Sequence, residues 1–130
     1  MSTADPEPFE VKFEDDDVAL GVRLPIAPFG DALFLAPDIS EGSRSVLREL
    51  IEPWDDLWPK MLKKLKNEFE DYGVDAELGR DDFIGSIQRC KVGDYMSDKS
   101  KVFLRLEFDE PPLWDFFLSG KRIVHFQPVF

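Results

Sequence analysis

Glu14-Asp15-Asp16-Asp17 sets four carboxylates side by side, the densest run of chemically capable groups in the chain. Such groups can hold a divalent cation, but magnesium and calcium need oxygens converging from several directions. The EF-hand spacing fails here, because Val18 and Ala19 follow and no Gly stands in register. Three adjacent Asp on a turn spread their side chains apart, so no metal is expected. Two readings suit the cluster: a solvated turn, or an acidic contact patch for a basic protein partner formed by Glu14, Asp15, Asp16 and Asp17. Asp55-Asp56 and Asp81-Asp82 read more simply, as a helix start and a turn.

Histidine titrates near neutrality and thiolates are strong nucleophiles, and the chain has one residue of each type, His125 and Cys90. A Cys–His dyad would need the two in contact with a third, orienting group. Both fall on expected strands, but neither stands in a nucleophile motif such as the G-x-S-x-G elbow. They read as a buried structural cysteine and an ordinary strand histidine. Paired carboxylates for glycoside hydrolysis carry no information, because 27 acidic residues supply a pair somewhere. None of the eight Gly forms a G-x-G-x-x-G or Walker loop. No catalytic residue or cofactor is therefore expected. The alternative to a binding module is a small-molecule protein or minor enzyme. Its pocket would lie between sheet and helix, lined by Trp54, Trp58 and Trp114 with His125 or Arg105 as polar groups. The plainer reading of the three Trp is core packing, or for Trp114 with Phe116 and Phe117 a lid on the sheet.

Charge narrows the partner classes. The 130 residues carry a formal charge of −11, which argues against nucleic acid and anionic membranes, since both need basic side chains. Residues 1–42 hold ten acidic and two basic residues, so most of the excess lies in the first third. A basic partner, or a high-salt host, would explain that balance. A nuclease inhibitor or a toxin-neutralising protein fits the same profile. The basic run Lys60 to Lys66 reads as the wet face of a helix. One Cys closes no intrachain disulfide, and no apolar stretch approaches 18 residues, so a cytoplasmic protein is expected. The acidic start, Met1 to Pro8, lacks the basic and apolar regions of a signal peptide and reads as a flexible tail.

The elements that must position these groups follow from periodicity. Phe9 to Glu14 and Val18 to Leu24 alternate apolar and polar residues, the mark of half-buried strands with one wet face. Ala32 to Ala36 is a third strand between Gly30-Asp31 and Pro37. Apolar residues then fall at Leu47, Leu50, Trp54, Trp58, Met61, Leu65, Phe69 and Tyr72, spaced by three or four, as on one helix face. Asp38 or Ser40 caps its start and Gly73 suits its end. Pro53 and Pro59 predict a break or kink near each, with the stripe in phase across both. Phe83 to Val92, Val102 to Phe108 and Arg122 to Phe130 read as strands, and Leu113 to Leu118 as a short turn of helix or strand. The expectation is a single α+β domain over 9–130, an antiparallel sheet with one long or kinked helix pair on one face, in the order β-β-β-α-α-β-β-β. It would be a monomer, or a homodimer of structural role paired through the final strand.

Overall fold

A computed structural model describes residues 7–27, 29–71, 83–89, 99–107 and 112–129. Seven strands and two helices succeed one another in the expected order, with one strand more after the helices: β1 (Phe9–Lys12), β2 (Val18–Pro25), β3 (Asp31–Leu35), α1 (Glu41–Ile51), α2 (Trp54–Asp71), β4 (Phe83–Arg89), β5 (Val102–Glu107), β6 (Leu113–Ser119) and β7 (Arg122–Val129). The strands form one sheet in the order of the sequence. β1 to β3 and β4 to β7 are two antiparallel meanders. β3 and β4 lie side by side and parallel, with Ala32 opposite Phe83 and Leu35 opposite Ser86. A parallel pair needs a crossover, and the helix pair supplies it.

The helices follow from their caps and their stripe. Ser40 caps α1, its Oγ accepting from the Ser43 amide at 3.2 Å. Asp38 braces that cap: its Oδ1 accepts from the Ser40 amide at 3.0 Å and from the Ser43 hydroxyl at 2.7 Å. Only Glu52 and Pro53 separate the helices, and the Pro53 carbonyl accepts the Leu57 amide at 2.9 Å. The break thus falls at Pro53 alone, while α2 runs through Pro59. A proline inside a helix removes one hydrogen bond, but Trp54, Leu57, Trp58, Met61, Leu65 and Phe69 are all buried on both sides of it. Burying one such side chain is worth about 1.5–3 kcal/mol, so the stripe holds the helix through the defect. Tyr72, Gly73 and Gly79 lie outside the described residues, as do Asp81-Asp82, Cys90 and the first six residues of the expected tail.

One face of the sheet receives the helices. Leu20, Val22 and Leu24, then Ala32 and Phe34, Ile87, Leu104 and Leu106, and Trp114, Phe116 and Leu118 form the core with the helical stripe. Phe34 meets Trp54 edge to face at 5.3 Å, and Phe69 meets Trp114 likewise at 5.5 Å. A Cβ on Gly85 would stand 2.3 Å from the Phe34 ring, so only glycine admits that ring beside β4.

Leu113–Ser119 is a strand rather than a lid, and it shows why its residues did not alternate. Trp114 and Phe116 face the helices; Phe117 faces the other way, 5.1 Å from Phe103 and 5.8 Å from His125. The second face is mixed. Register places Val11, Leu33, Leu35, Phe103, Leu113 and Val129 on it, each half-buried, beside the exposed Arg23, Asp31, Ser86 and Glu107. In its middle Arg105 grips Asp115 through two bonds, Nε to Oδ1 at 2.7 Å and Nη2 to Oδ2 at 2.9 Å. That hydrogen-bonded carboxylate holds the guanidinium above its ordinary pKa.

Candidate functional site

The acidic run forms the turn between β1 and β2. The Phe13 amide donates to the Asp17 carbonyl at 2.9 Å, and the Asp16 amide to the Phe13 carbonyl at 3.1 Å. Asp16 takes a left-handed conformation, φ +67°, which Asp tolerates better than most residues. This closure ends β1 at Lys12 and leaves Phe13 beyond the sheet. Alternation with Phe9 and Val11 marked Phe13 only as a strand residue.

Beside the turn lies an open groove of about 770 Å³ lined by Phe13, Glu14, Asp15, Asp17, Val18, Ala19 and Pro37. A smaller hollow continues it past Phe13, Ala19 and Pro37 to Leu35, Ala36, Ser86 and Ile87. Three of the four carboxylates singled out in the sequence therefore border one depression. The fourth, Asp16, reaches Lys12 at 3.6 Å in a fully solvated pair, worth little in stability. Asp38 follows Pro37 directly, and its hydrogen bonds from Ser40 and then Ser43 lower its pKa to about 2. It stays ionised at any physiological pH.

Apolar surface accompanies the charge. The exposed large hydrophobic residues among those described are Phe9 (43%), Phe13 (41%), Val18 (37%) and Ile39 (52%). All four fall within the third of the chain that holds most of the acidity. Phe13, Val18, Ala19 and Pro37 are the groove residues that sequence reasoning missed. Apolar residues flanking an acidic run at a strand end were the available signal for the first three. Pro37 comes from twenty residues further on and had none.

The aromatic constellation is built differently from the pocket imagined for it. Trp54 and Trp58 stack at 5.6 Å, and their Nε1 groups donate to the Pro25 and Ala27 carbonyls at 2.8 and 3.0 Å. They tie α2 to the loop after β2. Trp114 is buried further along the core, stacked on Phe126 at 5.5 Å. His125 sits on the opposite face of the sheet, within 3.2 Å of Gln127. The four side chains do not converge.

A separate cavity of about 310 Å³ opens where the helices meet the β6–β7 turn, floored by Leu50, Pro53, Leu57, Val102 and Leu118. At its rim Lys121 meets Asp56 at 2.8 Å and accepts at its carbonyl from Lys60 Nζ at 2.9 Å. The side-chain hydrogen bond between Lys121 and Asp56 lowers the Asp56 pKa and raises that of Lys121. The floor can admit a small apolar group, and Glu49, Glu52, Lys101 and Lys121 line the walls around it. Among the described residues no three His, Cys, Asp or Glu side chains gather closely enough to hold a metal ion, and no helix is long and apolar enough to cross a membrane. Against known proteins, no family model matches the chain, and no curated protein or solved structure proves similar to it.

Proposed function

We propose that this chain is a non-catalytic interaction module that takes a basic protein partner at its acidic hairpin, as an inhibitor does when it caps a cationic site. One observation supports the reading above others: Glu14, Asp15 and Asp17 border a groove in which Phe13 and Val18 remain exposed. Carboxylates steer a cationic surface into place, and an aromatic anchor in a groove supplies the affinity that solvated charges do not. The single thiol among 130 residues suits a reducing cytoplasm as the setting.

The test begins with capture from native lysate at about 50 mM salt and measures association rates with the captured protein. The triple change Asp15→Asn, Asp16→Asn and Asp17→Asn is expected to slow association about tenfold, as is raising salt to about 500 mM. Phe13→Ala is expected to speed dissociation and leave association nearly unchanged. A partner whose association rate ignores both salt and the three Asp would end this reading.

A further inference from the structure

The groove beside the hairpin runs into a gap in the sheet. β2 pairs with β1 as far as Val18, but its register with β3 stops at Gly21, opposite Leu35. One further bond follows there, from the Ala36 amide to the Leu20 carbonyl at 2.8 Å. β4 pairs with β5 as far as Arg89, but with β3 only as far as Ser86. The chain leaves β3 at Ala36-Pro37 for the Ser40 cap of α1. Val18 and Ala19 on one side and Ile87–Arg89 on the other thus flank a space that no strand among the described residues fills. Neighbouring strands stand about 4.8 Å apart, so β2 and β4 are about 9.6 Å apart there, room for one extended chain. The smaller hollow, about 270 Å³ between Ala19, Leu35, Ala36 and Ile87, lies in this gap.

The backbone beside the gap is aimed into it. Along an antiparallel strand, the N–H and C=O groups of successive residues turn to opposite neighbours. The Asp17 carbonyl accepts from Phe13 on the β1 side, and the Leu20 carbonyl from Ala36 on the β3 side. Alternation therefore turns the Val18 amide and carbonyl toward the gap. We propose that an extended segment of the basic partner enters this gap as a strand, in the place that β3 has left. The inference rests on the reading of the acidic hairpin as the docking site. β2 and β4 run in opposite directions, so the segment lies parallel to one and antiparallel to the other, whichever way it enters. Val18 to Leu20 spans about 10 Å, the length of three residues. Main-chain bonds would supply affinity, and the lining would select the side chains. Ala19, Ala36 and Ile87 suit small apolar residues inside the gap, and Glu14, Asp15 and Asp17 suit Lys or Arg directly outside it.

Fluorescence anisotropy of the full chain tests it, with a labelled peptide of three valines followed by three arginines. A second peptide has every valine amide N-methylated, so that it keeps the charge and loses the donors. The first is expected to bind with a Kd of about 10–100 µM, and the second at least about tenfold more weakly. Val18→Pro removes the N–H that faces the gap and spares the ladder to β1, whereas Val18→Ala keeps that N–H. The proline variant is expected to bind the first peptide about tenfold more weakly than the alanine variant does. Circular dichroism checks both folds, and the two peptides on the unaltered chain decide should the proline variant unfold. No binding at about 1 mM, equal affinity for the two peptides, or a proline variant that matches the alanine one overturns the strand insertion and leaves the docking reading standing. A captured protein whose association rate ignores salt and the three Asp ends the docking reading, and the insertion of its segment with it.

Discussion

The two faces of the sheet are built from the same strands and differ in what covers them. On one, Trp114, Phe116, Leu104 and Leu106 meet the helical stripe and are sealed from solvent. On the other, Phe103, Leu113 and Leu35 lie beside the Arg105–Asp115 pair and stay half-exposed. Side-chain chemistry separates them in part, since the second also carries Arg23, Asp31, Ser86 and Glu107, and the cover each one finds separates them further. Removing a large ring tests this most severely. Trp114→Ala should cost about 3–5 kcal/mol in denaturant unfolding, because its neighbours cannot collapse into the space. Phe103→Ala, with solvent already at its side, should cost about 1–2 kcal/mol. Equal losses in monomeric protein would erase the distinction.

Glycine sharpens the same contrast at the scale of one methyl group. A Cβ at Gly85, on the covered face, would lie 2.3 Å from Phe34 Cδ1, a ring held by Trp54. A Cβ at Gly21, on the second face, meets Val11, Leu33 and Leu35 methyls at 3.0–3.1 Å. Those side chains need to give by only a few tenths of an ångström. Gly85→Ala should cost about 1–3 kcal/mol and Gly21→Ala less than about 1 kcal/mol, measured as paired shifts in denaturant midpoint. A larger loss at Gly21 would mean that the second face is as tightly packed as the first.

What the residues declared in advance tracks how local each cause is. Apolar steps of three and four from Leu47 to Phe69 foretold the stripe, and two-residue alternation foretold β2 and β5, because both periods are set by the backbone within a few residues. Pro59 misled, since its cost is local while the burial that outweighs it comes from the sheet. Leu113 to Leu118 was ambiguous because both its faces are shielded, which removes the alternation that identifies a strand. The direction of β4 beside β3 was invisible, being a property of the crossover. In the groove, the four carboxylates could be read from one tetrapeptide. Their apolar companions Phe13 and Val18 could be placed only once the turn had ended β1 at Lys12, and Pro37 only once β3 had paired.

The smallest expected effect lies between the groove and α1, where a local device serves the covered face. Asp38 braces the Ser40 cap, and its folded-state pKa of about 2 lies below the ordinary 3.8. A carboxyl depressed on folding adds stability that is complete above its unfolded pKa and disappears as pH falls through the folded one. The contribution should therefore be whole above about pH 4 and gone near pH 2. Ser40→Ala removes the cap acceptor and should cost about 1 kcal/mol at neutral pH. Asp38→Asn should be less stable than the unaltered chain at pH 7, with the two denaturant midpoints converging between about pH 4 and pH 2. A gap that persists to pH 2 would show that Asn disturbs the bracing bonds by shape rather than by charge. A gap that is absent at pH 7 would show that Ser40 caps α1 unaided, and that the helix over the covered face owes nothing to the acidic residue beside the groove.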